Sequence, residues 1–235
     1  ATGFVGGAVV RHLLDRGAAV RCLVRDRARA AALDRLGTLV EIRVGDITDP
    51  GSLGPALEGA ALVINCAGLN SFWEPDRRAF TRINVDGARN IVQAAARARA
   101  GKVVHVSTAM AYGFPIESPF TAGTAPGPHM SEYARSKHDG DEAALRAARD
   151  GGLPLVVVHL AAVVGRGDAK SVMQIRDFVR GRIPLMIRSA NLFTYVAIDD
   201  AAAAIVAAGL AEGNAGTRCL VGNERLTTTE YFRII

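Results

Sequence analysis

Short β-branched runs alternate with longer alanine-rich amphipathic segments along the chain, and this rhythm restricts the fold more than any single residue does. Apolar runs of four to six residues bounded by glycine or polar turns read as strands buried on both faces. Apolar residues three and four apart between them read as helices laid over such a sheet. Strands are expected at 19–24, 39–44, 61–65, 102–107, 155–160 and 217–221, and helices near 7–16, 79–100, 131–150 and 199–211. The first helix would turn Val10, Leu13 and Leu14 inward and stop at Gly17. Strand-helix-strand units of this kind build an α/β, doubly wound parallel sheet.

A chain of 235 residues can bury one large core, so a single domain over 1–235 is expected. Two stretches break the rhythm, 114–129 and 166–191, and excursions of this type frame ligand sites at strand C-termini. Thr227 and Glu230 form the spacing of a capping box near the end.

Although 49% of the residues are hydrophobic, no run approaches the roughly 20 residues of a membrane span. Cys22, Cys66 and Cys219 lie far apart in apolar runs with no paired-cysteine or histidine spacing, which suits reduced thiols in a cytoplasm rather than a metal site. The formal charge of +5 comes from arginines scattered along the chain, not from a basic stripe interleaved with aromatics. A phosphate-bearing small molecule accounts for it as well as a nucleic acid, and no nucleic-acid or membrane partner is expected.

Three clusters carry chemistry. The opening Ala1-Thr2-Gly3-Phe4-Val5-Gly6-Gly7 runs into a helix, the arrangement that turns backbone N–H groups onto a pyrophosphate. The next strand ends Leu23-Val24-Arg25-Asp26-Arg27. Arg25 and Arg27 offer guanidinium groups to a ribose 2′-phosphate, whereas Asp26 would accept a 2′-hydroxyl. NADP is therefore favoured, with NAD as the alternative. Asp46 and Ile47 stand where an adenine edge would lie, and Cys66, Ala67 and Gly68 bring backbone close to a cofactor.

The third cluster is Tyr133 and Lys137, one helical turn apart on one face, with Ser107 and Thr108 ending the preceding strand. An ammonium beside a phenol stabilises the phenolate, lowers a pKa that starts near 10, and lets the tyrosine exchange a proton with a substrate oxygen. The Thr108 hydroxyl would hold that oxygen while hydride passes between substrate carbon and nicotinamide. Phe72 and Trp73 either line a pocket for an apolar or ring-bearing alcohol or ketone, or pack within their loop.

Together these residues resemble the extended short-chain dehydrogenase/reductase superfamily, in particular its NAD-dependent epimerase/dehydratase group and the branch similar to dihydroflavonol 4-reductases and 3β-hydroxysteroid dehydrogenases. Thr2-Gly3-Phe4-Val5-Gly6 is similar to the tail of the TGxxGxxG signature, Tyr133 to Lys137 to YxxxK, and Thr108 to the family's catalytic Ser/Thr. Asn84-Val85-Asp86-Gly87 resembles its NVxGT motif, and Tyr195 to Asp200 its YVHVDD segment without the histidine.

The resemblance implies a Rossmann fold with Tyr133 as acid/base, Lys137 lowering its pKa and holding the nicotinamide ribose, and Thr108 assisting. It further implies that the first strand and leading glycine precede Ala1. A substrate lobe would include 166–191 and 222–235 and continue past residue 235, so the chain is expected to be trimmed at both ends. His159 stands near the place of a proline-containing turn; it reads as a ligand contact or as a satisfied strand-end histidine. A homodimer through the helices at 79–100 and 131–150 is also expected.

The leading functional expectation is an NADP-dependent reduction of a carbonyl on a small-molecule substrate. A sugar-nucleotide epimerase or dehydratase with tightly held NAD is the alternative, though Arg25 argues against it. A non-catalytic dinucleotide sensor is a third, which the presence of both Tyr133 and Lys137 disfavours.

Overall fold

In a computed structural model, residues 1–117, 119–182 and 191–235 are described. Within the anticipated second excursion, 183–190 lie outside the described residues. The elements run α1 (Phe4–Asp15), β1 (Val20–Val24), α2 (Ala31–Asp34), β2 (Val40–Val44), α3 (Gly54–Leu57), β3 (Leu62–Asn65) and α4 (Arg78–Phe80). A π-helical turn (Thr81–Asp86) then leads to α5 (Gly87–Arg97), β4 (Lys102–Thr108), α6 (Glu132–Asp150), β5 (Leu155–Leu160), β6 (Ala162–Val164) and α7 (Ala169–Val179). Last come β7 (Leu192–Ala197), α8 (Ile198–Leu210), β8 (Arg218–Val221), β9 (Glu224–Thr227) and α9 (Thr228–Ile234).

All six anticipated strands form within two residues of their expected bounds. The sheet β3-β4-β5-β8 is parallel throughout, and β1 pairs in parallel with β2. Among the described residues no ladder joins β1 to β3; the order implied by the resemblance has a strand between them.

The two-residue period of the strands divides the core into two layers. Val103, Leu155 and Val157 face α5 and α6 with Ile91, Val92, Ala144 and Leu145. Their neighbours Val104, Val106, Val156 and Val158 face the other way, onto α1 and α8 with Val9, Ile205 and Val206. Every residue of β5 is buried, and each such valine or leucine contributes roughly 1.5–3 kcal/mol by leaving water. Helices on both faces make the doubly wound α/β fold anticipated from the rhythm.

Two findings differ from the sequence reading. A second sheet flanks the 166–191 excursion rather than lying within it, β6 ending just before it and β7 starting just after, with β6 parallel to β7 and β9 antiparallel to it. The helix expected over 79–100 is instead interrupted at 81–86 by a wider π turn, with α5 ending at Arg97. Asn84 lies in that turn with its side chain 3% exposed, hydrogen-bonded to groups outside its own helix. At the chain's end both halves of the Thr227/Glu230 capping box form.

Candidate active site

Thr108 closes β4 and caps the following tight turn, its Oγ1 accepting from the Met110 N–H at 3.3 Å. Ser131 caps α6 by accepting from the Ala134 N–H at 3.1 Å, which puts Tyr133 in the first turn and Lys137 one turn on. Thr108, Tyr133 and Lys137 line one cleft of about 620 Å³, together with Phe4 and Val5 of α1 and the loop Cys66, Ala67, Gly68 and Leu69.

Tyr133 and Lys137 are each 7% exposed. Burial pushes the Tyr133 phenol above its ordinary value, and a hydrogen bond from Thr108 opposes that rise. The Lys137 ammonium donates to the Val106 carbonyl at 3.2 Å. Burial also pulls Lys137 below the ordinary lysine value, against the pull of Asp141 and Cys66. The Cys66 thiol is pushed up to about 11, chiefly by burial, so it is not a nucleophile at neutral pH.

The glycine turn forms as anticipated. Gly3 is the N-cap of α1 in extended conformation, no side chain caps that helix, and a Cβ on Gly3 would meet nothing within 4 Å. Thr2 is exposed and Gly6 is packed over Ala1. Open N–H groups at the start of a twelve-residue helix, beside a cleft, fit a pyrophosphate. On the other side, a Cβ on Gly68 would come within 3.3 Å of Asn84 Oδ1 and 3.8 Å of Lys137 Nζ, so a side chain here would crowd the groups behind the cleft loop.

Of the remaining anticipated contacts, Arg25, Asp46, Ile47 and Trp73 lie outside the cleft lining. Arg25 is exposed just beyond β1, while Arg27 forks onto Asp34 at 2.7 and 2.8 Å, so the two arginines are not equivalent. Asp46 organises its own turn, its Oδ1 accepting from the Thr48 N–H and hydroxyl. The Ile47 side chain is 7% exposed and fills the space in front of Gly87, where an added Cβ would stand 2.5 Å from its Cδ1. Phe72 lines the cleft; Trp73 lines a neighbouring pocket of about 410 Å³ with Arg77, Phe80 and Met130. His159 is fully buried with its Nε2 bonded to Asp141 at 2.9 Å, while its Nδ1 has no hydrogen-bond partner among the described residues, so only one of its ring nitrogens is satisfied.

Two contributors were given no site role in the sequence reading, although Asn84 and Tyr195 stand in its family-like motifs. Asn84 ties the cleft loop to α6: its Oδ1 accepts from the Leu69 N–H at 2.7 Å, and its Nδ2 donates to the Leu69 carbonyl and to Ser136 Oγ at 2.9 Å. The conspicuous signal was an asparagine within an otherwise apolar helical face. The far wall of the cleft carries Phe193, Tyr195, Tyr231 and Phe232, with Tyr195 and Tyr231 stacked at 5.1 Å.

Among the described residues, no helix is long and apolar enough to cross a membrane and no His/Cys/Asp/Glu group could hold a metal.

The NAD dependent epimerase/dehydratase family matches residues 1–222. Sterol demethylase protein B of Methylococcus capsulatus is 35% identical over 239 residues, covering 97% of this chain and 69% of the relative. A putative dihydroflavonol 4-reductase of Synechocystis is 31% identical over 235 residues, covering 96% of this chain and 67% of the relative. Among solved structures, a double mutant of DesIV, a dTDP-glucose 4,6-dehydratase from Streptomyces venezuelae with NAD bound, superposes with a TM-score of 0.84 at 28% identity, over 99% of this chain and 77% of that one.

Proposed function

The chain belongs to the NAD-dependent epimerase/dehydratase family, and from that premise we propose that it reduces the carbonyl of an apolar, ring-bearing ketone or aldehyde with NADPH, Tyr133 serving as general acid and, in reverse, general base. The observation that carries this reading is the convergence of Thr108, Tyr133 and Lys137 on one cleft with Phe4, Val5 and Gly68.

In the proposed reduction, the open turn at Gly3 to Gly6 holds the pyrophosphate, and Arg25 meets the 2′-phosphate. Bound nicotinamide would supply the hydride. Thr108 and Tyr133 hydrogen-bond the carbonyl oxygen. A phenol raised by burial is protonated at neutral pH, the form able to donate its proton as that oxygen becomes an alkoxide. The Lys137 ammonium then offsets charge on the phenolate left behind, and solvent restores the proton.

The aromatic wall of Phe72, Phe193, Tyr195 and Tyr231 supports an apolar substrate, as do the sterol and dihydroflavonol in the names of the two relatives. We assign β6, β7, β9, α7 and α9 to the part of the substrate lobe within this chain, and we expect a cytoplasmic homodimer. NADPH fluorescence should shift on binding to the complete protein, and Tyr133→Phe should abolish turnover while leaving that shift intact. Absence of NADPH binding would remove the reading.

The likeness to a dTDP-glucose dehydratase supports a second reading, a sugar-nucleotide epimerase or dehydratase. Such a protein would be purified with NAD attached and would act without net cofactor consumption. Among the described cleft-lining residues Lys137 is the one lysine or arginine, which offers a substrate's diphosphate little to bind.

A further inference from the structure

Directly behind the cleft lies a polar cluster that the proposed reaction does not use. Asp141, one turn after Lys137 on the inward face of α6, is 0% exposed. Its Oδ2 accepts from Ser107 Oγ at 3.0 Å and from His159 Nε2 at 2.9 Å, and its Oδ1 faces His105 Nε2 at 3.3 Å. His105 and His159 are 1% and 0% exposed. A carboxylate at this depth is strongly unfavourable unless its neighbours compensate it.

The hydrogen bonds decide which neighbours carry charge. The Ala67 N–H donates to Asn65 Oδ1 at 3.1 Å, which fixes the Asn65 amide and turns its Nδ2 to His105 Nδ1 at 3.2 Å. His105 Nδ1 is therefore an acceptor, and the ring proton sits on Nε2, aimed at Asp141. His159 donates through Nε2, its Nδ1 meets no acceptor among the described residues, and its ring meets the Tyr112 ring edge-on with 4.9 Å between centroids. A second proton on either ring has nowhere to go, so both imidazoles are neutral and the cluster retains the negative charge of Asp141.

Two cations face that charge. Arg218 of β8 reaches Asp141 Oδ2 at 4.0 Å but bonds directly to Glu142. Lys137 is buried, with the Val106 carbonyl as its hydrogen-bond acceptor. Around them stand Asn65 of β3 and Cys66 just after it, His105 and Ser107 of β4, His159 of β5, and Tyr133 on α6 itself. None of these brings a further negative charge at neutral pH.

We propose that Asp141 is a positioning residue that keeps Lys137 an ammonium inside the cleft, and that Asn65 and His105 tie this carboxylate to the loop bearing Ala67 and Gly68. Ser107, adjacent to Thr108, joins the same carboxylate to the strand end that would hold the substrate oxygen. The inference deepens the proposed reductase site, but its tests use no substrate. Failure of carbonyl reduction would sink the reductase reading and leave this one to stand or fall by itself.

The chain has three lysines, so Nζ signals of the lysine-labelled complete protein are few, and Lys137→Arg identifies the one from Lys137. Asp141→Asn should lower the Lys137 pKa by roughly one unit or more, and Asp141→Glu should recover most of that loss. An Asp141→Asn protein in which Lys137 titrates as before overturns the proposal. Should neither variant fold, the unaltered protein still decides: nitrogen NMR at neutral pH should find His105 and His159 both neutral with the proton on Nε2. A charged ring, or a proton on Nδ1 of either, overturns it equally.

Discussion

The Phe72 ring meets the Tyr133 ring edge-on, with 5.7 Å between centroids and 73° between planes. Phe72 is itself 66% exposed, so its contact with Tyr133 leaves most of its face open beside the Thr108 hydroxyl. Edge-to-face pairs contribute about 0.5–1.5 kcal/mol beyond their burial. Phe72→Ala should therefore raise KM for an apolar ketone about fivefold to tenfold with a smaller fall in kcat. Trp73→Ala, which opens the neighbouring pocket, should move KM less than about twofold. Equal effects of the two substitutions in steady-state assays would remove Phe72 from the substrate wall.

Two glycines separate binding from folding. A Cβ at Gly140 would stand 2.3 Å from the Asn84 carbonyl oxygen, backbone against backbone, where α6 crosses the π turn. Gly140→Ala should cost about 1–3 kcal/mol in urea unfolding, since neither helix can give way without breaking the other's contacts. Gly68→Ala meets only the Asn84 amide and the end of Lys137, so its stability should change by less than about 1 kcal/mol while dinucleotide affinity falls at least about tenfold. Calorimetric titration showing undiminished affinity in Gly68→Ala would put the cofactor elsewhere.

Arg25 and Arg27 differ in what they have left to give. Because Arg27 is bidentate with Asp34, the exposed Arg25 is the better partner for a 2′-phosphate, and charge-assisted bonds to a phosphate contribute about 1.5–3 kcal/mol. Arg25→Ala should weaken NADPH binding by about tenfold or more and leave NADH binding nearly unchanged. Arg27→Ala should change both by less than about twofold. If Arg25→Ala weakens both coenzymes alike, the preference for NADPH does not arise from this side chain.

The fold was legible because burial on both faces makes parallel strands into continuous apolar runs: Val103–Val106 and Leu155–Leu160 could hardly be anything else. β6, β7 and β9 were not legible. They are short, and β7 buries only Val196, so their sequences carry neither an unbroken apolar run nor a clean alternation. Tyr133 and Lys137 were found through spacing within one helix, which is local information. Asp141, four residues further along the same helix, was missed because its meaning comes from His105 and His159 on two other strands. Their pairing exists only once β4 and β5 lie side by side with Ser107 opposite His159. Arg27 and Ile47 show the converse, since their positions suggested a ligand and nothing in the sequence marked the neighbours Asp34 and Gly87 beside them.

The buried histidine also makes a prediction for stability against pH. Burial holds His105 below the ordinary histidine value of 6.5, so between that lowered value and 6.5 the unfolded chain binds a proton that the folded chain does not. Stability from this group is complete above about pH 6.5 and is lost as the pH falls through that window, on the order of 1 kcal/mol per pH unit at most. Asp141 acts in the same direction at lower pH. Burial would raise it, yet its contacts with His105 and His159 hold it well below the ordinary value of 3.8, so its contribution is present above that value and is lost only on further acidification. Urea midpoints measured from about pH 8 down to about pH 5 should therefore hold level to about pH 6.5 as far as this group is concerned and fall below it in the unaltered protein. His105→Asn, which removes the titrating ring, should lower the midpoint at the alkaline end and flatten the slope below about pH 6.5. An undiminished acid slope in that variant would assign the loss to other groups and show that His105 accepts its proton without unfolding.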